Sequence, residues 1–144
     1  MSKLKYQKAL ELVQKIDDFD PFKEPSQILI RKAEKELGLE ITGQYLDYVK
    51  KFGTESHNGF EIYGFTTDNF TNASVPNGIW LTLQERKDSN LPKNLLIISD
   101  TGSGGYVCLN YADKEPKVVI FEDGVIEDYF EDFGSYLYYT VMEE

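Results

Sequence analysis

The hydrophobic pattern of this 144-residue chain changes period after its first third. That change restricts the fold more than any single motif does. Up to Phe52, apolar residues recur every three or four positions. Leu4, Tyr6, Leu10, Val13 and Ile16 predict a first helix, ending near Asp17 because Asp17 and Asp18 oppose the negative end of its dipole. Ser26 is placed to cap a second helix with a stripe of Ile30, Ala33 and Leu37 and a stop at Gly38. Thr42 is placed to cap a third, carrying Tyr45, Val49 and Phe52 and ending at Gly53.

Beyond that point the apolar runs shorten and turn residues separate them. Phe60–Phe65 reads as a strand, and residues 66–78 as polar and turn-rich. Trp80–Lys87 is read as a short helix. Leu95–Ser99 and Tyr106–Asn110 read as the arms of a hairpin around the turn cluster 100–105. Val118–Phe121 is a further strand. Asp123-Gly124 is a two-residue turn signal, after which Val125 and Ile126 begin a short return strand. Phe130, Phe133, Leu137 and Val141 have helical spacing and predict a C-terminal helix, with Phe130 and Phe133 in the core. Helices, then strands, then one helix is the order of an α+β fold with a mostly antiparallel sheet. No linker or repeat divides residues 1–144, so a single domain is expected.

The charge is unevenly placed. The formal net charge is −10, but residues 1–36 contribute +1, residues 37–112 contribute −3 and residues 113–144 contribute −8. An acidic surface argues against binding nucleic acid or an anionic membrane. One cysteine, Cys108, excludes an internal disulfide framework. No apolar stretch approaches a membrane span, and the start MSKLKYQKAL lacks the apolar run of a secretory signal. A cytoplasmic protein is expected.

Each catalytic motif meets a simpler explanation. Asp100-Thr101-Gly102 matches the aspartic-protease triplet, but such chemistry needs two aspartates sharing a proton and a downstream apolar-apolar-Gly element. Ile62-Tyr63-Gly64 lies upstream instead. Gly102-Ser103-Gly104-Gly105 leads into a strand with no lysine near, unlike a phosphate-binding loop. A dyad of Cys108 with His57 would draw its thiol from an apolar strand, where cysteine acts as a small hydrophobe. Asp17, Asp18 and Asp20 lack the glycine and distal glutamate of a calcium loop. Paired C-terminal carboxylates are suited to glycosidase work, but acids near a helix start also complement its dipole. No enzyme activity, cofactor or metal is expected.

The motifs in sequence order resemble the SUKH superfamily, shared by bacterial immunity proteins and a fungal regulator of cell-wall synthesis. The matching pieces are Ile30-x-x-Ala33-Glu34-x-x-Leu37-Gly38, Ile41-Thr42-x-x-Tyr45, Phe52-Gly53 and Phe60-Glu61-Ile62-Tyr63-Gly64-Phe65. After these come Leu95–Ile98, Asp100, Gly102, Gly105–Leu109, Pro116-x-Val118 and the segment with Phe130 and Phe133. Ile41-Thr42 stands where the family usually has Leu-Pro. The resemblance implies a strongly bent sheet flanked by helices, with no shared catalytic set. It also implies a partner: a toxin protein, often a nuclease, that an immunity protein binds and blocks. A regulatory or scaffold module of the same fold is the alternative.

A nuclease toxin has a basic surface, which an acidic inhibitor can find quickly. The expected docking residues are therefore Glu122, Asp123, Glu127, Asp128, Glu131 and Asp132, with Tyr63 and Trp80 as aromatic anchors. Tyr106, Tyr111, Tyr129 and Tyr136 are further aromatic candidates, each of which can equally be a core residue.

Overall fold

The computed structural model describes residues 2–14, 27–52, 55–57, 60–62, 78–112 and 115–142. In chain order these form α1 (Ser2–Gln14), α2 (Gln27–Leu37), α3 (Gly43–Phe52), β1 (Glu55–His57) and β2 (Phe60–Ile62). There follow α4 (Gly78–Asp88), β3 (Leu95–Asp100), β4 (Tyr106–Asn110), β5 (Lys117–Glu122), β6 (Val125–Phe130) and α5 (Phe133–Met142). The α+β expectation holds: β3-β4-β5-β6 is an antiparallel meander, with helices before it and one after. β1 and β2 make a separate antiparallel pair.

Two apolar clusters lie on opposite faces of the meander. Alternation along β3 sends Leu96 and Ile98 to one face and Leu95 and Ile97 to the other. On the first face Leu96, Ile98, Val107, Leu109 and Val118 meet the helical layer of α1, α2, α3 and α5. Phe133 sits at the centre of that layer, its ring 5.4 Å from Tyr45 and 5.2 Å from Tyr48. Gly134 allows the close approach: a Cβ there would lie 2.7 Å from Tyr6 Cβ. On the second face Leu95, Ile97, Cys108, Val119 and Phe121 form a smaller cluster with Leu91.

α4 joins the two clusters along the outer edge of β3. Ile79 belongs to the larger cluster, while Leu81 packs on the smaller. Buried Thr82 accepts the Ile97 N–H at 3.0 Å, giving that backbone donor a partner outside the sheet.

Several boundaries move. Leu4 is exposed, and among the described side chains of α1 Tyr6, Ala9 and Leu10 are buried. The α2 stop is as expected: Gly38 has φ +70° and donates to Glu34 O at 2.8 Å. β1, at Glu55–His57, precedes the strand expected from Phe60. β6 extends through Phe130, and α5 starts at Phe133, so Phe130 is a strand residue, half-buried against the larger cluster. Asp17, Asp18, Asp20, Ser26, Gly53 and Tyr63–Phe65 lie outside the described residues.

Candidate functional site

The acidic C-terminal segment forms the outer strand of the sheet and the approach to α5. Asp123 and Gly124 have φ of 52° and 77°, the paired positive angles of a tight hairpin turn. Glu122 therefore pairs with Val125, Ile126 with Phe121, Glu127 with Ile120 and Asp128 with Val119. Residues directly opposite share a face. Val125 and Glu127 accordingly lie on the α5 side of the sheet, and Ile126 and Asp128 on the other. From Val125 to Asp128 each face of β6 thus carries one apolar and one acidic side chain.

A bulge between Val118 and Val119 adds Tyr129 to β6. It brings Tyr129 and Phe130 to the same side, toward Tyr136 of α5, at ring separations of 6.0 and 5.8 Å. Phe130 also packs on Tyr139 at 5.3 Å, and Tyr129 on Phe130 at 4.5 Å. Tyr136 is the buried root of this aromatic ridge, bonded to Ser99 and Thr140. Val125, Ile126, Tyr129, Tyr139 and Met142 are 40–57% exposed. Burial raises the pKa of Tyr129, and the neighbouring Tyr139 adds to the shift.

The expected docking residues divide. Glu122, Asp123, Glu127, Asp128 and Glu131 are exposed around the β5–β6 hairpin and its exit. Glu122 lies over Gly105, where an added Cβ would meet its Oε1 at 2.7 Å. Asp132 is corrected: it is 5% exposed, and its Oδ1 caps α5 by accepting the Ser135 N–H at 2.9 Å. Glu127 and Asp128 belong to a strand and so do not act on a helix dipole.

The aromatic candidates divide as well. Tyr63 is outside the described residues, and Trp80 is half-buried in α4. Tyr111 donates to Thr42 O at 3.4 Å, and Tyr106 is half-buried beside Glu85. Tyr139, which falls off the apolar stripe of α5 read from sequence, is the exposed aromatic that the sequence reading missed.

The Asp100 triplet, the glycine run and Cys108 have structural roles. Asp100 Oδ1 accepts the Gly102 N–H at 2.6 Å, and Thr101 Oγ1 accepts from Gly105 N at 3.1 Å. Gly102 and Gly104 take positive φ, so the triplet and the glycine run build the β3–β4 turn. Cys108 is buried, and burial pushes its thiol up to about 12, far from a reactive thiolate. The side chain of His57 lies outside the described residues. An open groove of about 500 Å3 between α2 and α3 is lined by Ile30, Arg31, Glu34 and Lys50 among others. Glu34 there accepts the Ile41 N–H at 2.8 Å. Among the described residues no cluster suits a metal, and no helix is long and apolar enough to cross a membrane.

A family model described as SUKH_5, SMI1-KNR4 cell-wall, matches residues 6–142, nearly the whole chain. No curated protein matches it.

Proposed function

The chain belongs to the SUKH_5 family, and from that membership we propose that it is an immunity protein. It binds a cognate toxin, one with a basic surface, and blocks it stoichiometrically inside the cell. The family match over residues 6–142 carries this reading. The exposed acids and apolar side chains of β6, with the aromatic ridge beside it, support it physically. Acidic groups speed encounter with a basic partner, and exposed tyrosines supply contact area at low entropic cost. The role needs no catalytic group, consistent with the turn role of Asp100 and the buried Cys108 thiol.

Co-expression with a toxin encoded beside its gene tests the proposal. Cells should survive, and the two proteins should co-purify at a fixed ratio. Toxin killing despite abundant soluble protein would overturn it. The description "SMI1-KNR4 cell-wall" favours a second reading, a regulatory or scaffold module that binds a host protein. A gene with no toxin beside it would favour that reading.

A further inference from the structure

The outer edge of β6 carries the next step, which rests on the protein-binding reading above. An edge strand presents unpaired backbone N–H and C=O groups, and native sheets usually cover or blunt such an edge. At the opposite end of the sheet, α4 supplies Thr82 to β3. Among the described residues no element hydrogen-bonds along the outer edge of β6, and its side chains from Val125 to Tyr129 are exposed. Acidic side chains keep this edge soluble, while Val125, Ile126 and Tyr129 remain open to contact.

We infer that β6 receives an extended, basic segment of the partner as a fifth strand of the sheet. Main-chain bonds then provide affinity, and cross-strand side-chain pairs provide selectivity. The register of β6 specifies that segment. An antiparallel strand meets Asp128, Glu127, Ile126 and Val125 in turn. Its matching sequence is therefore two basic residues followed by two apolar ones, one of each pair on either face of the sheet. The bulge at Tyr129 ends the regular register and sets the ridge of Tyr129, Phe130 and Tyr139 beside the start of the added strand.

Charge selects against a second copy as the occupant. Two β6 strands paired antiparallel about their centres would put Glu127 of each copy opposite Asp128 of the other. Like charges directly opposite destabilise a strand pair, and Glu122, Asp123 and Glu131 would add to the repulsion. A basic strand turns the same positions into attractive pairs.

The test uses the full chain and three peptides, with amide hydrogen exchange read residue by residue. The first peptide is Thr-Thr-Lys-Lys-Val-Val-Thr-Thr. The second has both valines replaced by proline, which keeps the charge but cannot extend a strand ladder. The third has both lysines replaced by glutamate. The first peptide should suppress exchange of the outward amides of β6, and the other two should leave it unchanged. Equal protection by the proline peptide would reduce the contact to charge alone and overturn the inference. Protection confined to other elements, or none, would overturn it too. So would a concentration-dependent dimer that the Ile126→Lys variant abolishes, because the edge would then belong to a second copy. No toxin enters this experiment, so failure here removes the added strand and leaves the immunity reading to the co-expression result.

Discussion

β3 and β6 are the two outer strands of one antiparallel sheet, yet they solve the problem of an open edge in opposite ways. β3, Leu-Leu-Ile-Ile-Ser-Asp, is buried from Leu95 to Ser99 and bordered by α4. β6, Val-Ile-Glu-Asp-Tyr-Phe, is exposed from Val125 to Tyr129. The first edge is closed by apolar packing and a hydroxyl acceptor; the second, among the described residues, is left open under negative charge. Covering an edge contributes stability and removes it as a template. Charging an edge contributes little stability and keeps it available, but only to a partner of opposite sign. Matched substitutions can break this contrast, and isoleucine provides the widest gap. Ile97→Ala, at a fully buried site, should cost about 2–5 kcal/mol. Ile126→Ala should change stability by less than about 0.5 kcal/mol. Similar shifts of the two denaturation midpoints would show that β6 is as much a core strand as β3.

The covered side should also respond to alkali. Cys108, paired with Ile97, has a thiol raised by burial from 9.0 to about 12. The folded state therefore holds this proton more tightly than the unfolded chain. Its contribution is complete below about pH 9 and declines as the pH rises toward 12. Cys108→Val should flatten that decline relative to the parent protein. Parallel stability curves for the two would remove the thiol from the account.

The polar part of the α4 cover is tested at Thr82. Thr82→Val keeps the side chain's shape but deprives the buried Ile97 N–H of its partner. A loss of about 1–3 kcal/mol is expected. No loss would mean that this hydrogen bond adds nothing to the cover of β3, and the contrast with β6 would narrow. Smaller still is the contrast between two acids four residues apart. Asp132→Ala removes the α5 cap and should cost about 1 kcal/mol. Asp128→Ala, on the exposed strand, should be neutral within about 0.5 kcal/mol.

These residues also show what the sequence made legible. The covered region was readable because its signals agree. Ile30, Ala33 and Leu37 repeat at helical spacing before a glycine that takes positive φ, and Leu95–Ile98 is an apolar run of strand length before a turn. α4 was harder to read because its apolar residues serve two clusters and so form no single stripe. β6 was visible only as far as Ile126. Its order of two apolar, two acidic and two aromatic residues matches neither a period of 2 nor one of 3.6, and a strand wet on both faces needs neither. Its length comes from pairing with β5 across the Asp123-Gly124 turn, a tertiary cause. Misplacing the start of α5 then hid Asp132 among the docking acids, although an aspartate just before Phe133 is an ordinary N-cap once that boundary is known.

The smallest stability effect should accompany the largest change in binding rate. Glu127→Lys with Asp128→Lys reverses two exposed charges. Unfolding should shift by no more than about 0.5 kcal/mol. Association with the basic partner proposed above should nevertheless slow, and its dependence on salt should flatten, because steering by these carboxylates is lost. Reversing Glu11 and Glu36, exposed on α1 and α2, provides the control. If the acids act only through net charge, both pairs should change the salt dependence equally. If they act at the β6 edge, only the first pair should also speed dissociation, because only there would repulsion persist in the bound complex. Stopped-flow measurements over a range of ionic strength separate the two cases. Equal effects on association with no change in dissociation would make β6 a source of charge and nothing more, erasing the difference in role between the two edges.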